Sequence, residues 1–207
     1  MIWDQLWNSG IVLSRELDRL LTIPSPTTEA ANDTPKDFIN PSSIQTILEL
    51  GTGRGLAGLT AATLLPNAKV VLTDASTESL QNASDAITLN NLQENCSTAT
   101  LNWFSPSQTF IPADLVIGAD VLYLSRAVKA IASLLKTLMT PVTGKALIVD
   151  PDRCFAEEFE NLCIENNLAV RRVIVEREEI GEGVLGESDA NVQCKRFNVF
   201  YVSHRIE

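Results

Sequence analysis

Over residues 3–21 the apolar positions Leu6, Leu13, Leu17, Leu20 and Leu21 recur close to the 3.6-residue period of a helix with one buried face, which predicts an N-terminal helix. Over residues 23–43 the period stops. Pro24, Pro26, Pro35 and Pro41 stand among Ser, Thr, Asn and Asp, a composition that punctuates a chain, so this stretch predicts a surface loop. Beyond it, short apolar runs at 46–50, 69–73, 99–103, 114–118 and 145–150 read as strands. Most are apolar on both faces, as in a parallel sheet covered on each side. Helical spacing fills 56–65, 76–90 and 125–140, with Pro66 and Pro141 placed as natural stops.

The last third changes character. A helical pattern at 155–166 is followed by two strand-like runs, 169–176 and 196–203, separated by an acidic stretch with Gly181, Gly183 and Gly186 that reads as a loop. Strands joined without a crossover helix pair antiparallel. The expected fold is therefore α/β: a Rossmann-like, doubly wound, seven-stranded sheet of five parallel strands plus a C-terminal antiparallel hairpin, preceded by an N-terminal helix. The organisation is a single domain: helix 1–22, Pro-rich loop 23–43, cofactor-binding βα units 44–150, then C-terminal helix and hairpin 151–207.

With 207 residues, 45% of them hydrophobic, the chain suffices for one sizeable core. No apolar run approaches about 18 residues, and the N-terminus lacks a secretory pattern, so no membrane association and a cytoplasmic, monomeric protein are expected. Cys96, Cys154, Cys163 and Cys194 lack metal-ligand or redox spacing; they are expected as buried or half-buried free thiols, with no metal site. The net charge of −10 repels phosphate backbones, which argues against a nucleic-acid partner and weakly favours a basic one, such as a lysine-bearing protein surface.

Chemistry concentrates at Gly51-Thr52-Gly53-Arg54-Gly55-Leu56-Ala57-Gly58. This loop follows a strand and opens a helix, where backbone amides face a ligand at the helix N-terminus. The loop alone does not separate a dinucleotide from S-adenosylmethionine, since Gly53-Arg-Gly55-Leu-Ala-Gly58 fits the dinucleotide pattern and Asp74 serves the ribose hydroxyls of either. Glu49 distinguishes them. A carboxylate ahead of the first glycine repels a pyrophosphate and attracts the sulfonium and ammonium of S-adenosylmethionine; the competing reading is a solvent-facing Glu beside a structural turn.

With these pieces placed, the chain resembles the seven-strand class I methyltransferases, and within them the family-16 protein-lysine methyltransferases. The similarity rests on Trp7-Asn-Ser-Gly-Ile-Val-Leu13, Leu48-Glu-Leu-Gly-Thr-Gly-Arg-Gly-Leu56, Leu72-Thr-Asp74, Asn90-Asn-Leu92, Leu101-Asn-Trp103 and Asp114-Leu-Val-Ile-Gly-Ala-Asp-Val-Leu-Tyr123, in that order. The resemblance implies an S-adenosylmethionine pocket, releasing S-adenosylhomocysteine, lined by Trp7, Gly51, Thr52, Gly53, Asp74, Trp103 and Ala119, to which the loop reading adds Glu49 and Gly55. It implies that Asp120 and Tyr123 stand at the methyl-transfer centre. Trp7 and Trp103 otherwise read as core aromatics, Asp120 as a helix N-cap before Val121, and Tyr123 as packing.

The sequence departs from the family in its longer 23–43 loop and in the short segment ahead of Trp7. It contains no Asn/Asp-Pro-Pro-Tyr/Phe element for adenine amino-methylation and no Pro-Cys after the fourth strand for cytosine C5 chemistry. The sole histidine, His204, reads as a surface or terminal-strand residue. The leading expectation is methylation of a lysine nitrogen on a protein; the alternatives are a small-molecule N- or O-methyltransferase and a non-catalytic cofactor-binding scaffold.

Overall fold

The computed structural model describes residues 8–22, 38–106, 109–178 and 194–205. Trp3 to Trp7, most of the Pro-rich loop, and the glycines of the 181–186 stretch lie outside these residues. Helix α1 (Asn8–Leu21) is followed by a 3-10 turn (Pro41–Ser43), then β1 (Thr46–Leu50), α2 (Leu56–Leu64), β2 (Lys69–Asp74), α3 (Thr77–Leu89), β3 (Cys96–Thr100) and β4 (Leu115–Ala119). The remaining elements are α4 (Ser125–Leu138), β5 (Lys145–Pro151), α5 (Ala156–Glu165), β6 (Leu168–Glu178) and β7 (Cys194–His204). All seven strands form one sheet in the order β3-β2-β1-β4-β5-β7-β6.

Strands β1 to β5 run parallel, and β7 pairs antiparallel with both β5 and β6. Alternation along the central strands divides the core in two. Ile47, Leu115, Ile117, Leu147 and Val149 meet α1 and α2 on one face. Leu48, Leu50, Val116, Ala146 and Ile148 meet α4 and α5 on the other. The same alternation turns Glu49 toward the α2 face, two residues from Ile47.

Helix α1 places Val12, Leu13, Leu17, Leu20 and Leu21 in the core, and each fully buried leucine contributes about 1.5–3 kcal/mol. Its buried face also carries Glu16. The Tyr201 hydroxyl donates to Glu16 Oε1 at 2.6 Å and Arg19 forks onto the carboxylate, so the charge is satisfied. Burial, with the carboxylate beside it, raises the Tyr201 pKa and keeps that hydroxyl a donor. Asn40 caps the 3-10 turn by accepting from Ser42 N–H at 3.1 Å, and flanking Ile39 and Ile44 enter the core, so the end of the expected loop is ordered.

The third strand is Cys96–Thr100 and not 99–103: Cys96, Ser97 and Thr98 pair with Val70, Val71 and Leu72, and the chain leaves the sheet before Trp103. β6 and β7 run longer than their apolar cores because they pair with each other beyond the end of β5 at Pro151. Helix α4 starts at Ser125 after Leu124, and Asp120 has φ 59°; it is a left-handed turn residue and not a helix cap. Cys96 and Cys163 are buried, but Cys154 is exposed, contrary to the expectation for it. His204 closes β7 opposite Leu168. Among the described residues, no helix is long and apolar enough to cross a membrane.

Candidate active site

Strand order reverses beside β1: the chain proceeds from β1 to β2 on one side, and β4 flanks the other. Open α/β sheets bind ligands in the crevice at the C-terminal ends of strands at such a point. The glycine loop leaves β1 there, Asp74 ends β2, the Trp103 segment follows β3 and Asp120 follows β4.

Three glycines of the loop adopt positive φ: Gly51 at 63°, Gly53 at 52° and Gly55 at 81°, a region disfavoured for residues with a Cβ. A Cβ on Gly51 would lie 2.8 Å from Trp103 Cζ2, so this glycine lets the indole lie against the loop. Around Gly53 nothing lies within 4 Å of such an atom, leaving open space over the loop. Thr52 is buried, and its N–H donates to Thr73 O at 2.8 Å, tying the loop to β2.

Asp74 grips the loop as well. Its Oδ2 accepts from Gly53 N–H at 3.1 Å and its Oδ1 from Ser76 N–H at 2.9 Å, leaving lone pairs on both oxygens. Glu49 lies elsewhere than either sequence reading assumed. It is only 3% exposed, Thr52 Oγ1 donates to its Oε2 at 2.5 Å, and the Gly58 N–H in the first turn of α2 donates to the same carboxylate. Burial pushes its pKa to about 7, against the lowering effect of these two donors. The residue therefore anchors the helix N-terminus from within, a favourable place for a partial negative charge.

An aromatic group packs against the loop. Trp103 lies 6.3 Å from Tyr123 between ring centroids and 6.5 Å from Phe104, over which Arg126 is stacked at 4.8 Å. Among the described residues, the buried Trp103 Nε1 has no hydrogen-bond partner. Tyr123 is 37% exposed; partial burial, then the charges of Asp74 and Asp120 against that of Arg126, raise its pKa, so both carboxylates act on one hydroxyl. Ala119, half-buried, pairs with Val149 and precedes Asp120.

Sequence reasoning missed the neighbours of Asp120. Arg153 Nη2 lies 2.5 Å from Asp120 Oδ1, and its Nη1 lies 3.1 Å from Asp150 Oδ1. Asp150 is 2% exposed at the end of β5 and also accepts from Leu122 N–H at 3.0 Å. Burial pushes its pKa to about 7, with Arg153 pulling it back. The available signal was Asp150-Pro151-Asp152-Arg153, charged residues directly after an apolar strand on the side where the other strands deliver site residues. Thus Glu49, Gly51, Thr52, Gly53, Gly55, Asp74, Trp103, Ala119, Asp120 and Tyr123 fall at one end of the sheet, whereas Trp7 lies outside the described residues.

The profile of the lysine methyltransferase family matches residues 2–159, more than half of the sequence. The chain belongs to the lysine methyltransferase family. Among curated relatives of this family member, 35% identity over 79 residues links it to the protein N-lysine methyltransferase METTL21A of Xenopus tropicalis, covering 38% of this chain and 36% of the relative. A second, the release factor glutamine methyltransferase of Gloeobacter violaceus, is 33% identical over 106 residues, covering 51% of this chain and 37% of the relative. The chain thus spans little more than a third of each.

Solved structures repeat the fold. A candidate RNA methyltransferase from Pyrococcus horikoshii superposes with a TM-score of 0.65 at 12% identity, covering 100% of this chain and 91% of that one. An O-methyltransferase of a trans-AT PKS multienzyme from Brevibacillus brevis, solved with S-adenosyl-L-homocysteine, gives a TM-score of 0.56 at 18% identity, covering 67% and 50%. At these identities the likeness establishes architecture alone. The seven-stranded methyltransferase sheet expected from the pattern is the one observed.

Proposed function

We propose that this chain transfers a methyl group from S-adenosylmethionine to the side-chain nitrogen of a lysine on a protein substrate. The observation that carries this reading is the convergence of the positive-φ glycine loop, Asp74 and the Asp120–Tyr123 turn at the strand-order reversal of a lysine methyltransferase family member.

The residues present fit the methyl donor. The open space over Gly53 admits a ligand against the loop, Asp74 retains lone pairs for ribose hydroxyls, and the orphaned Trp103 N–H needs an acceptor. Trp103 and Tyr123 offer faces that favour an adenine ring or a cation, the latter by about 0.5–2 kcal/mol. We assign binding to Glu49, Gly51, Thr52, Gly53, Gly55, Asp74, Trp103 and Ala119, and to Trp7 from the sequence resemblance. Glu49 acts from beneath, by holding the loop and helix.

S-adenosylmethionine, when bound, supplies a methyl already activated on a sulfonium, so no residue of the chain must form a covalent intermediate. The protein's task is to aim the acceptor and exclude water. A lysine ammonium has no free lone pair and must lose a proton before attack; desolvation against Trp103, Phe104 and Tyr123 lowers its pKa. Asp120 orients the amine as it arrives cationic and relays its proton outward to solvent. Tyr123, whose raised pKa keeps its hydroxyl protonated, shapes the entrance and donates a hydrogen bond.

The glutamine methyltransferase relative supports a competing acceptor, a side-chain amide. Carboxylates beside the site favour the amine, because a cation gains more from a negative field than a neutral amide does. Labelled S-adenosylmethionine incubated with the protein and a methyl-depleted cell extract tests the proposal. The expected result is a nuclease-resistant protein band, lost with Asp120→Ala, whose modified residue is lysine by mass spectrometry. A modified glutamine selects the competing acceptor, and label confined to small molecules overturns both.

A further inference from the structure

A carboxylate that receives a cationic acceptor would ordinarily be left open to solvent, yet Asp120 already carries a guanidinium. Arg153 reaches it at 2.5 Å through Nη2 while Nη1 rests on Asp150, at 3.1 Å from Oδ1 and 3.2 Å from Oδ2. Asp150 also takes the Leu122 N–H, so one buried carboxylate holds both the arginine and the turn that presents Asp120. That turn needs holding. Asp120 has φ 59°, a conformation that a non-glycine residue keeps only when its surroundings over-determine it. Three contacts fix it: Asp120 N–H to Val149 O at 2.9 Å, Leu122 N–H to Asp150, and the Arg153 bridge. Strand β7 steadies the far side, where Asn198 pairs with Asp150 and donates to Asp152 Oδ1 at 3.2 Å.

We infer that Arg153, seated on Asp150, is a positioning residue that fixes the backbone and carboxylate direction of Asp120 at the acceptor mouth. The arginine does not touch the reacting atoms. Its planar fork spans two carboxylates at once, which a lysine ammonium, a point donor on a flexible stem, does less well. The inference rests on the proposed role of Asp120, but the arrangement it describes is measurable with no acceptor present.

The test uses the full chain as wild type, Arg153→Ala, Arg153→Lys and Arg153→Ala combined with Asp150→Asn. Amide hydrogen exchange at Leu122, read by NMR, should quicken at least tenfold in Arg153→Ala. Guanidinium chloride at 10 mM should restore it, and should fail to do so in the double variant, which lacks the seat. Arg153→Lys should lie between wild type and Arg153→Ala, and keeps the test open if the alanine variant folds poorly. S-adenosylmethionine affinity by calorimetry should stay within threefold throughout. Label transfer to the methyl-depleted extract should fall at least tenfold in Arg153→Ala and recover with guanidinium. Unchanged Leu122 exchange, or exchange that guanidinium restores equally in the double variant, would overturn the inference. If the wild type labels no protein, the proposed function fails on its own, and the exchange and rescue measurements still decide the place of Arg153.

Discussion

Replacing Gly51 by Ala separates two causes that a glycine loop usually merges, backbone freedom and lack of bulk. At φ 63° an alanine incurs a left-handed backbone cost of about 1–2 kcal/mol. Its Cβ would also stand 2.8 Å from Trp103 Cζ2 and 3.2 Å from Val121 Cγ1, both in a packed wall, and such overpacking adds about 1–3 kcal/mol. Gly53 supplies the control: at φ 52° with nothing within 4 Å, Gly53→Ala carries only the backbone part. Urea unfolding followed by tryptophan fluorescence should then show Gly51→Ala less stable than Gly53→Ala by about 1–3 kcal/mol at equal m-value. In a Trp103→Leu background most of that difference should vanish, because the indole edge is the atom struck. A double-mutant cycle reports the coupling directly. Equal penalties for the two alanines, or no coupling to position 103, would refute the claim that Trp103 is seated on the loop.

Three other perturbations follow from the site. Asp74→Ala removes the acceptor for Gly53 and Ser76 N–H and should weaken S-adenosylmethionine binding by about 1–3 kcal/mol in calorimetry; unchanged affinity would remove Asp74 from the cofactor pocket. Glu49, raised from an ordinary 4.5 to about 7, holds its proton more tightly folded than unfolded, so its contribution to stability is full below about pH 4.5 and is lost as pH rises toward 7. The stability of Glu49→Gln relative to wild type should therefore climb between pH 5 and 8, as measured by urea unfolding at each pH, and a flat difference would contradict the burial argument. Tyr201→Phe strips a donor from the buried Glu16 and should lower stability by about 1–3 kcal/mol without altering S-adenosylmethionine affinity; a loss of affinity would mean that α1 reaches the pocket through this contact.

Much of the fold was written in periodicity. β1 was legible to the residue because Ile47, Leu48 and Leu50 put apolar side chains on both faces and glycine follows at once. β3 was misplaced because Cys96-Ser-Thr-Ala-Thr100 is polar for a strand, and pairing with β2 overrides that composition. The residues that meet at the strand ends could be named from motifs, but their partners could not. That Glu49 turns inward to Thr52 and Gly58 depends on which face of β1 packs on α2, a matter of tertiary register. The link between Asp120 and Arg153 joins residues 33 positions apart through two strands, and no local signal in either segment announces it.

The place of β7 inside the sheet bears on how the molecule is made. Every described side chain assigned to the site belongs to residues 49–153, yet β5, which carries Asp150, has β7 as its outer neighbour, and β7 is Cys194–His204. A nascent chain that has emerged through β6 still has an uncovered central strand, since the next strand to arrive must enter between β5 and β6 and not at the rim. Closure of the sheet joins Asp150 to Asn198 across nearly fifty residues, a non-local pairing of the kind that slows folding and leaves a strand edge exposed meanwhile. The end of the sheet that carries the candidate site is thus completed only when β7 is in place.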